Sequence, residues 1–210
     1  MNAEEIGVKC PKCGVIFKSK QLPIYVDLGF RNSELRVDYK GALGPSERYA
    51  ISECPSCGKA DWITEFHDTQ EMSVLQAAEN PPHLQFRAAA VDRERNGGDN
   101  YNIGLFYLHA AWCADDDGVF VQAREYRRMA ADFFNKSVID GSCPPSRRQE
   151  TEYMIGEIMR RSGDFANAVE HFRRAIPKLS GQFALMARKL TRLAQSYNSD
   201  PIDFESGEAQ

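Results

Sequence analysis

Four of the six cysteines in this 210-residue chain sit in two copies of one phrase, KCPKCG at residues 9–14 and ECPSCG at residues 53–58. Each Cys-x-x-Cys knuckle offers two soft sulfur donors, and two knuckles on separate turns complete a tetrahedral set: Cys10, Cys13, Cys54 and Cys57. Gly14 and Gly58 follow the second cysteine of each pair. There a glycine lets the backbone turn with positive φ and aim N–H groups at the sulfurs. Pro11 and Pro55 prepare the turns. Four thiolates close the coordination sphere, so the metal expected here is a structural zinc ion with no site for a catalytic water. Iron, held as in rubredoxin and carrying one electron, is the alternative. Paired disulfides and a thioredoxin-type dithiol are disfavoured. The acidic start MNAEEIGVK has no apolar signal region, which places the chain in a reducing cytoplasm, and no βαβ pattern follows either motif.

Little else in the sequence carries chemistry. Cys113 falls on a helical stretch and reads as a small core residue; Cys143 falls in a loop and reads as a surface thiol. The four histidines, His67, His83, His109 and His171, belong to no nucleophile or metal motif. NGGDN at 96–100 lacks the lysine and the strand–helix context of a phosphate loop, and ADDDG at 114–118 lacks the later ligands of a calcium loop. No enzymatic activity is expected.

The elements that must position the knuckles are short strands. LPIYVDLGF, ELRVDY, RYAISEC and DWITEF read as such within residues 1–67. Too small for a large core, that region needs the metal to hold it. From residue 68 the pattern becomes helical, with apolar residues every three or four positions in about seven segments beginning with MSVLQAAE. The fold class expected is α+β: a small four-cysteine zinc ribbon over 1–67, an all-α tetratricopeptide-like array of helical hairpins over 68–199, and an acidic mobile tail over 200–210, in which Phe204 could dock on the last helix.

Within the array, Ile155-Gly156, Gly163, Phe165, Ala168, Phe172 and Ala175 fall at the spacings of a tetratricopeptide repeat. Gly156 lets two helices approach, while Ser146 with Gln149 and then Asp164 are candidate caps. Ala130, Phe134 and Ser137 repeat the Ala168, Phe172, Ala175 pattern 38 residues upstream. This reads as a degenerate first unit with the small pair Ala110-Ala111 and a long loop DDDGVFVQ, and helix 182–197 caps the stack. Helical geometry then turns Glu150, Tyr153, Glu157 and Arg160 toward a concave face, the candidate partner-binding residues.

A ribbon opening with VKCPKCGVIFKSK, a second knuckle SECPSCGKADW and then such helices resembles the bacterial domain-of-unknown-function family 2225 over about residues 7–195. The resemblance implies a bacterial cytoplasmic protein and no particular activity. The function expected is therefore a zinc-binding adaptor that takes a protein or peptide partner in its helical groove. The alternative is a nucleic-acid-linked regulator acting through the ribbon. Charge speaks against it: residues 1–67 hold nine Lys/Arg and nine Asp/Glu, and the whole chain carries −4. A phosphate-tracking surface needs a basic excess, so no specific nucleic acid is expected. No apolar run is long enough for a membrane span.

Overall fold

The computed structural model describes residues 3–22, 31–37, 46–71 and 73–204. Each knuckle is the tip of an antiparallel hairpin. β1 (Glu4–Lys9) and β2 (Ile16–Gln21) flank the first, with Val8 opposite Phe17. β3 (Ile51–Glu53) and β4 (Ala60–Trp62) flank the second, with Glu53 opposite Ala60. A short β5 (His67–Asp68) pairs with the other edge of β1. Of the expected strands, most of LPIYVDLGF lies outside the described residues. RYAISEC contains β3, whereas DWITEF shares only Asp61 and Trp62 with β4 before Ile63–Glu65 turns as a 3-10 helix. Only the first part of ELRVDY is described, and it belongs to a tight turn: Asn32 N–H donates to the Arg36 carbonyl, and Arg31 bridges Val37.

Residues 73–78 form no helix, although MSVLQAAE has a helical period. They run extended beside β2, with Lys18 N–H on Leu75 O, Ala77 N–H on Lys18 O and Ala78 N–H on Glu53 O. Val74 and Leu75 are exposed, so a helix here would have no core to cover. Six helices follow among the described residues: α1 (Pro82–Arg95), α2 (Asn100–Asp116), α3 (Phe120–Asp140), α4 (Arg148–Arg161), α5 (Phe165–Ala175) and α6 (Gly181–Gln195). The Asp99 carboxylate caps α2 by accepting the Asn102 N–H at 2.9 Å. Two expected caps do not form. Ser146 makes no capping bond, because Pro145–Arg147 is a 3-10 turn and α4 begins after it. Gln149 reaches Ser180 instead. Asp164 stands at the N-cap of α5, but its carboxylate takes the Asn167 side-chain amide rather than a backbone N–H.

α2–α3 and α4–α5 are consecutive helical hairpins, with α6 packed on α4 and α5. One contact recurs in both. A Cβ on Gly104 would lie 2.7 Å from the Phe134 ring, and one on Gly156 would lie 2.5 Å from Phe172. The counterpart of Gly156 is therefore Gly104, not the Ala110-Ala111 pair. The first hairpin is the longer one. Past its glycine, α2 runs on to Asp116, whereas α4 ends at Arg161. DDDGVFVQ is no long loop: only residues 117–119 separate α2 from α3, with Gly118 at φ 72°.

The expected boundary at residue 67 is not a break in packing. Ile51 and Ala60 belong to the same buried cluster as Phe86, Phe106 and Ile155, and Trp62 stacks on Phe106 at 4.7 Å. A second cluster gathers Tyr153, Phe172, Met186 and Leu190. A third lies under the knuckles: Val8, Phe17, Ile63 and Phe66 with Cys10 and Cys54. Leu35, from the 31–37 turn, packs against both helical clusters. No helix among the described residues is long and apolar enough to cross a membrane.

Candidate metal centre

The two knuckles have the same local architecture. In the first, Cys10 N–H donates to Val15 O and Gly14 N–H to Cys10 O. In the second, Cys54 N–H donates to Lys59 O and Gly58 N–H to Cys54 O. Both glycines adopt the positive φ that the sequence requires of them, 75° and 67°. A substituted residue there would be strained in the left-handed region.

The hairpins bring all four predicted cysteines together, with every pair of sulfurs within 4.8 Å. Cys10 Sγ lies 3.7 Å from Cys57 Sγ, and Cys13 Sγ lies 3.6 Å from Cys54 Sγ. A disulfide would need about 2.05 Å. A tetrahedral ion with metal–sulfur bonds of about 2.3 Å needs sulfur–sulfur edges of about 3.8 Å. The donor set fits such an ion, with each close contact joining one knuckle to the other. The environments of the thiols differ. The Val15 backbone amide, with hydrogen bonds from the other cysteines, holds Cys13 down to about 7. Burial pushes Cys54 up to about 12 and Cys57 above its ordinary value. A bound cation would supply the positive charge that keeps four converging sulfurs as thiolates.

Among the described residues no other group of histidine, cysteine or acidic side chains is arranged to hold an ion. His67 is exposed on β5. His83 meets Asp117 at 3.0 Å, and His171 Nε2 meets the Glu152 carbonyl at 2.7 Å. His109 is enclosed between Trp62 and Trp112, and burial lowers its pKa to about 4. Cys113 is a core residue, as its helical position suggests. Cys143 is not a surface thiol: it is buried, and its Sγ lies 3.3 Å from Thr151 Oγ1. The lysines near the first knuckle and around the second are partly neutralised. Lys18 pairs with Glu5, and Lys59 and Arg93 share Asp61.

The four candidate groove residues do not present an open surface. Tyr153, Glu157 and Arg160 have no exposed area, and Glu150 is half-buried in an ion pair with Arg147. The helix turns them to the inner face as expected, but the chain itself covers that face. Tyr153 Oη donates to Ser33 O at 2.8 Å. Arg160 makes a bidentate pair with Glu157 and donates to the carbonyls of Asn198 and Asp200. Beside them Arg127 of α3 holds Glu34 in a second bidentate pair at 2.6 and 2.7 Å. Residues 200–204 are accordingly no loose tail, and the rest of the expected tail, 205–210, lies outside the described residues. Ser33 N–H donates to Ile202 O, Phe204 N–H donates to Arg31 O, and the Phe204 ring meets Tyr153 and Phe183 of α6. The sequence signal for this arrangement was faint: Arg127 is a charge with Ala123, Ala130 and Ala131 at helical spacing, and nothing comparable marks Glu34 or Arg160.

Neither a scan against protein-family models nor searches of curated proteins and of solved structures return any match to this chain.

Proposed function

We propose that this chain is a zinc-binding adaptor, whose knuckles are a structural element and whose helical hairpins receive a protein or peptide partner. The repeated glycine-to-phenylalanine contact carries this reading. Gly104 against Phe134 and Gly156 against Phe172 make α2–α3 and α4–α5 two versions of one packing unit, and stacked units of that kind form tetratricopeptide-like arrays whose inner faces bind extended chains. The closed set of four sulfurs supports a structural ion, with zinc favoured over iron by its preference for such sites. The resemblance to family 2225, with a bacterial cytoplasmic setting, belongs to the same proposal and rests on the knuckle phrases and the helices behind them.

The test is isolation of the tagged, full-length chain from its own cells under nuclease treatment, followed by cross-linking. A partner cross-linked to α2 or α4 is the expected result. A complex that disappears with nuclease, or one cross-linked only to the knuckles, replaces the adaptor with the nucleic-acid-linked regulator. Elemental analysis and visible absorbance on the same sample distinguish zinc from coloured iron–thiolate.

A further inference from the structure

Residues 31–37 form a finger pushed against the inner face of the helical hairpins. Asn32 N–H bonds Arg36 O, Leu35 N–H bonds Asn32 O, and the Asn32 side chain accepts the amides of Glu34 and Arg36. At its tip, Ser33 and Glu34 are 0% and 1% exposed. Leu35 holds a φ of 58°, a left-handed conformation that leucine avoids, and packs against both helical cores. Strain of this kind persists only where surrounding contacts impose it, and it concentrates at clamps and switches.

We propose that the finger is a detachable plug, and that the face beneath it recognises a turn presenting a carboxylate followed by an aliphatic side chain, the chemistry of Glu34-Leu35. This inference rests on the adaptor reading and names the class of partner for that same face. Three observations carry it. First, the bonds across the contact are those of peptide recognition: a hydroxyl on a backbone carbonyl, a bidentate arginine on a carboxylate, and an aliphatic side chain between two cores. Second, the arginines of the face keep a carboxylate without the finger. Arg127 also holds Asp115 at 2.6 Å, and Arg160 holds Glu157. Departure of Glu34 leaves Arg127 and Arg161 sharing Asp115, and departure of Arg36 leaves Glu47 and Asp116 without it, so an incoming turn that replaces the finger must remake these pairs with an acidic and a basic residue of its own. Third, among the described residues the backbone-to-backbone bonds from the finger to the rest of the chain run to one short strap, and a further side-chain anchor is Arg36, paired with Glu47 and Asp116. Ile202 O accepts the Ser33 amide, and residues 31 and 204 bond backbone to backbone.

The experiment is native-state amide exchange on the metal-loaded full chain, with a synthetic peptide RNSELRV, the finger's own sequence, added in trans. The Ser33, Leu35 and Phe204 amides are expected to exchange at least 100-fold faster than the core amides of α3 and α4, by local opening. Excess peptide captures the opened face and should accelerate those three amides several-fold further, whereas a peptide carrying the Glu34→Gln change should not. Tyr153→Phe removes one hydroxyl bond without a cavity and should speed the same amides about five- to ten-fold with helix protection unchanged. Finger amides as protected as the helix cores would show an inseparable part of the fold and overturn the proposal. So would exchange that neither peptide changes or that both change equally. Because the probe is the chain's own sequence, a missing cellular partner defeats only the adaptor reading, and unmoved finger amides defeat only the plug.

Discussion

The knuckles and the finger both belong to the N-terminal β-region, and they are held by opposite means. At the knuckles, four sulfurs from two hairpins converge on one point, and the small core beneath them is built from the same region. The finger has almost no core of its own. It is fixed by Arg127, Tyr153 and Ile202, which lie 93, 120 and 169 residues away from their partners in sequence, and by the pairs of its own Arg36 with Glu47 and Asp116. One end offers a site for an ion, and the other leans on the helices. The region is therefore not a free-standing ribbon tethered to an array but a bridge clamped at two places.

The largest effect should come from removing the ion. Cys54→Ser is expected to take bound metal from one per chain to none, as elemental analysis would read. It forfeits a site whose binding energy in small zinc peptides is on the order of 10–16 kcal/mol. The loss should melt β1–β4 and fray α1, which rests on Ile51 and Ala60. α4–α6 should keep their helical circular dichroism, because their own cluster holds no knuckle residue. Loss of all helical signal would erase the contrast between the two ends.

Next come the two buried arginine–glutamate pairs. Glu157→Ala leaves Arg160 with only backbone carbonyls, so a cost of about 3–5 kcal/mol is expected in denaturant unfolding. Glu34→Ala leaves Arg127 with Asp115, so the cost should fall toward the lower end, about 3 kcal/mol. Equal costs would mean that Asp115 gives no compensation. The same glutamate makes the finger sensitive to acid. Burial alone would raise the Glu34 pKa, but Arg127, Arg161 and Arg36 hold it at about 2, below the unfolded value of 4.5. A depressed carboxylate contributes stability that is present above 4.5 and is lost as the pH falls toward 2. Ser33 amide protection, corrected for intrinsic exchange, should fall across that window in the native chain and stay flat there in Glu34→Gln.

The smallest effect concerns the hairpins. Gly156→Ala puts a methyl against Phe172 and should cost about 1–3 kcal/mol, and Gly104→Ala against Phe134 a similar amount, read as shifts in the unfolding midpoint. If only one of the two is destabilising, the hairpins are not versions of one unit.

What the sequence revealed follows the same division. The knuckles were legible to the residue because their chemistry is local: donor type, spacing and the glycine after each pair. Gly156 and Phe172 were legible for a similar reason, since helical period alone places them. The extended path of 73–78 was not, because its backbone bonds go to Lys18 and Glu53, far back in the chain. Nor was the covering of the inner face. Helical geometry turned Tyr153, Glu157 and Arg160 the right way, but no periodicity could announce that Ser33 and the carbonyls of 198–200 would meet them there.

The pairing of Ser33 with Ile202 also has a consequence for biosynthesis. A ribosome makes the knuckles first, and they can close on their ion while most of the helices are still unmade. The finger has nothing to seat against until α3 and α4 have formed, and it is not fastened until residue 202 has left the exit tunnel. The last clasp of the fold thus joins parts of the chain made far apart in time, and long-range closures of this kind favour slow completion. Until then the arginine-lined face stands open on the nascent protein. Any segment of matching chemistry that meets it early competes with a finger that has not yet arrived.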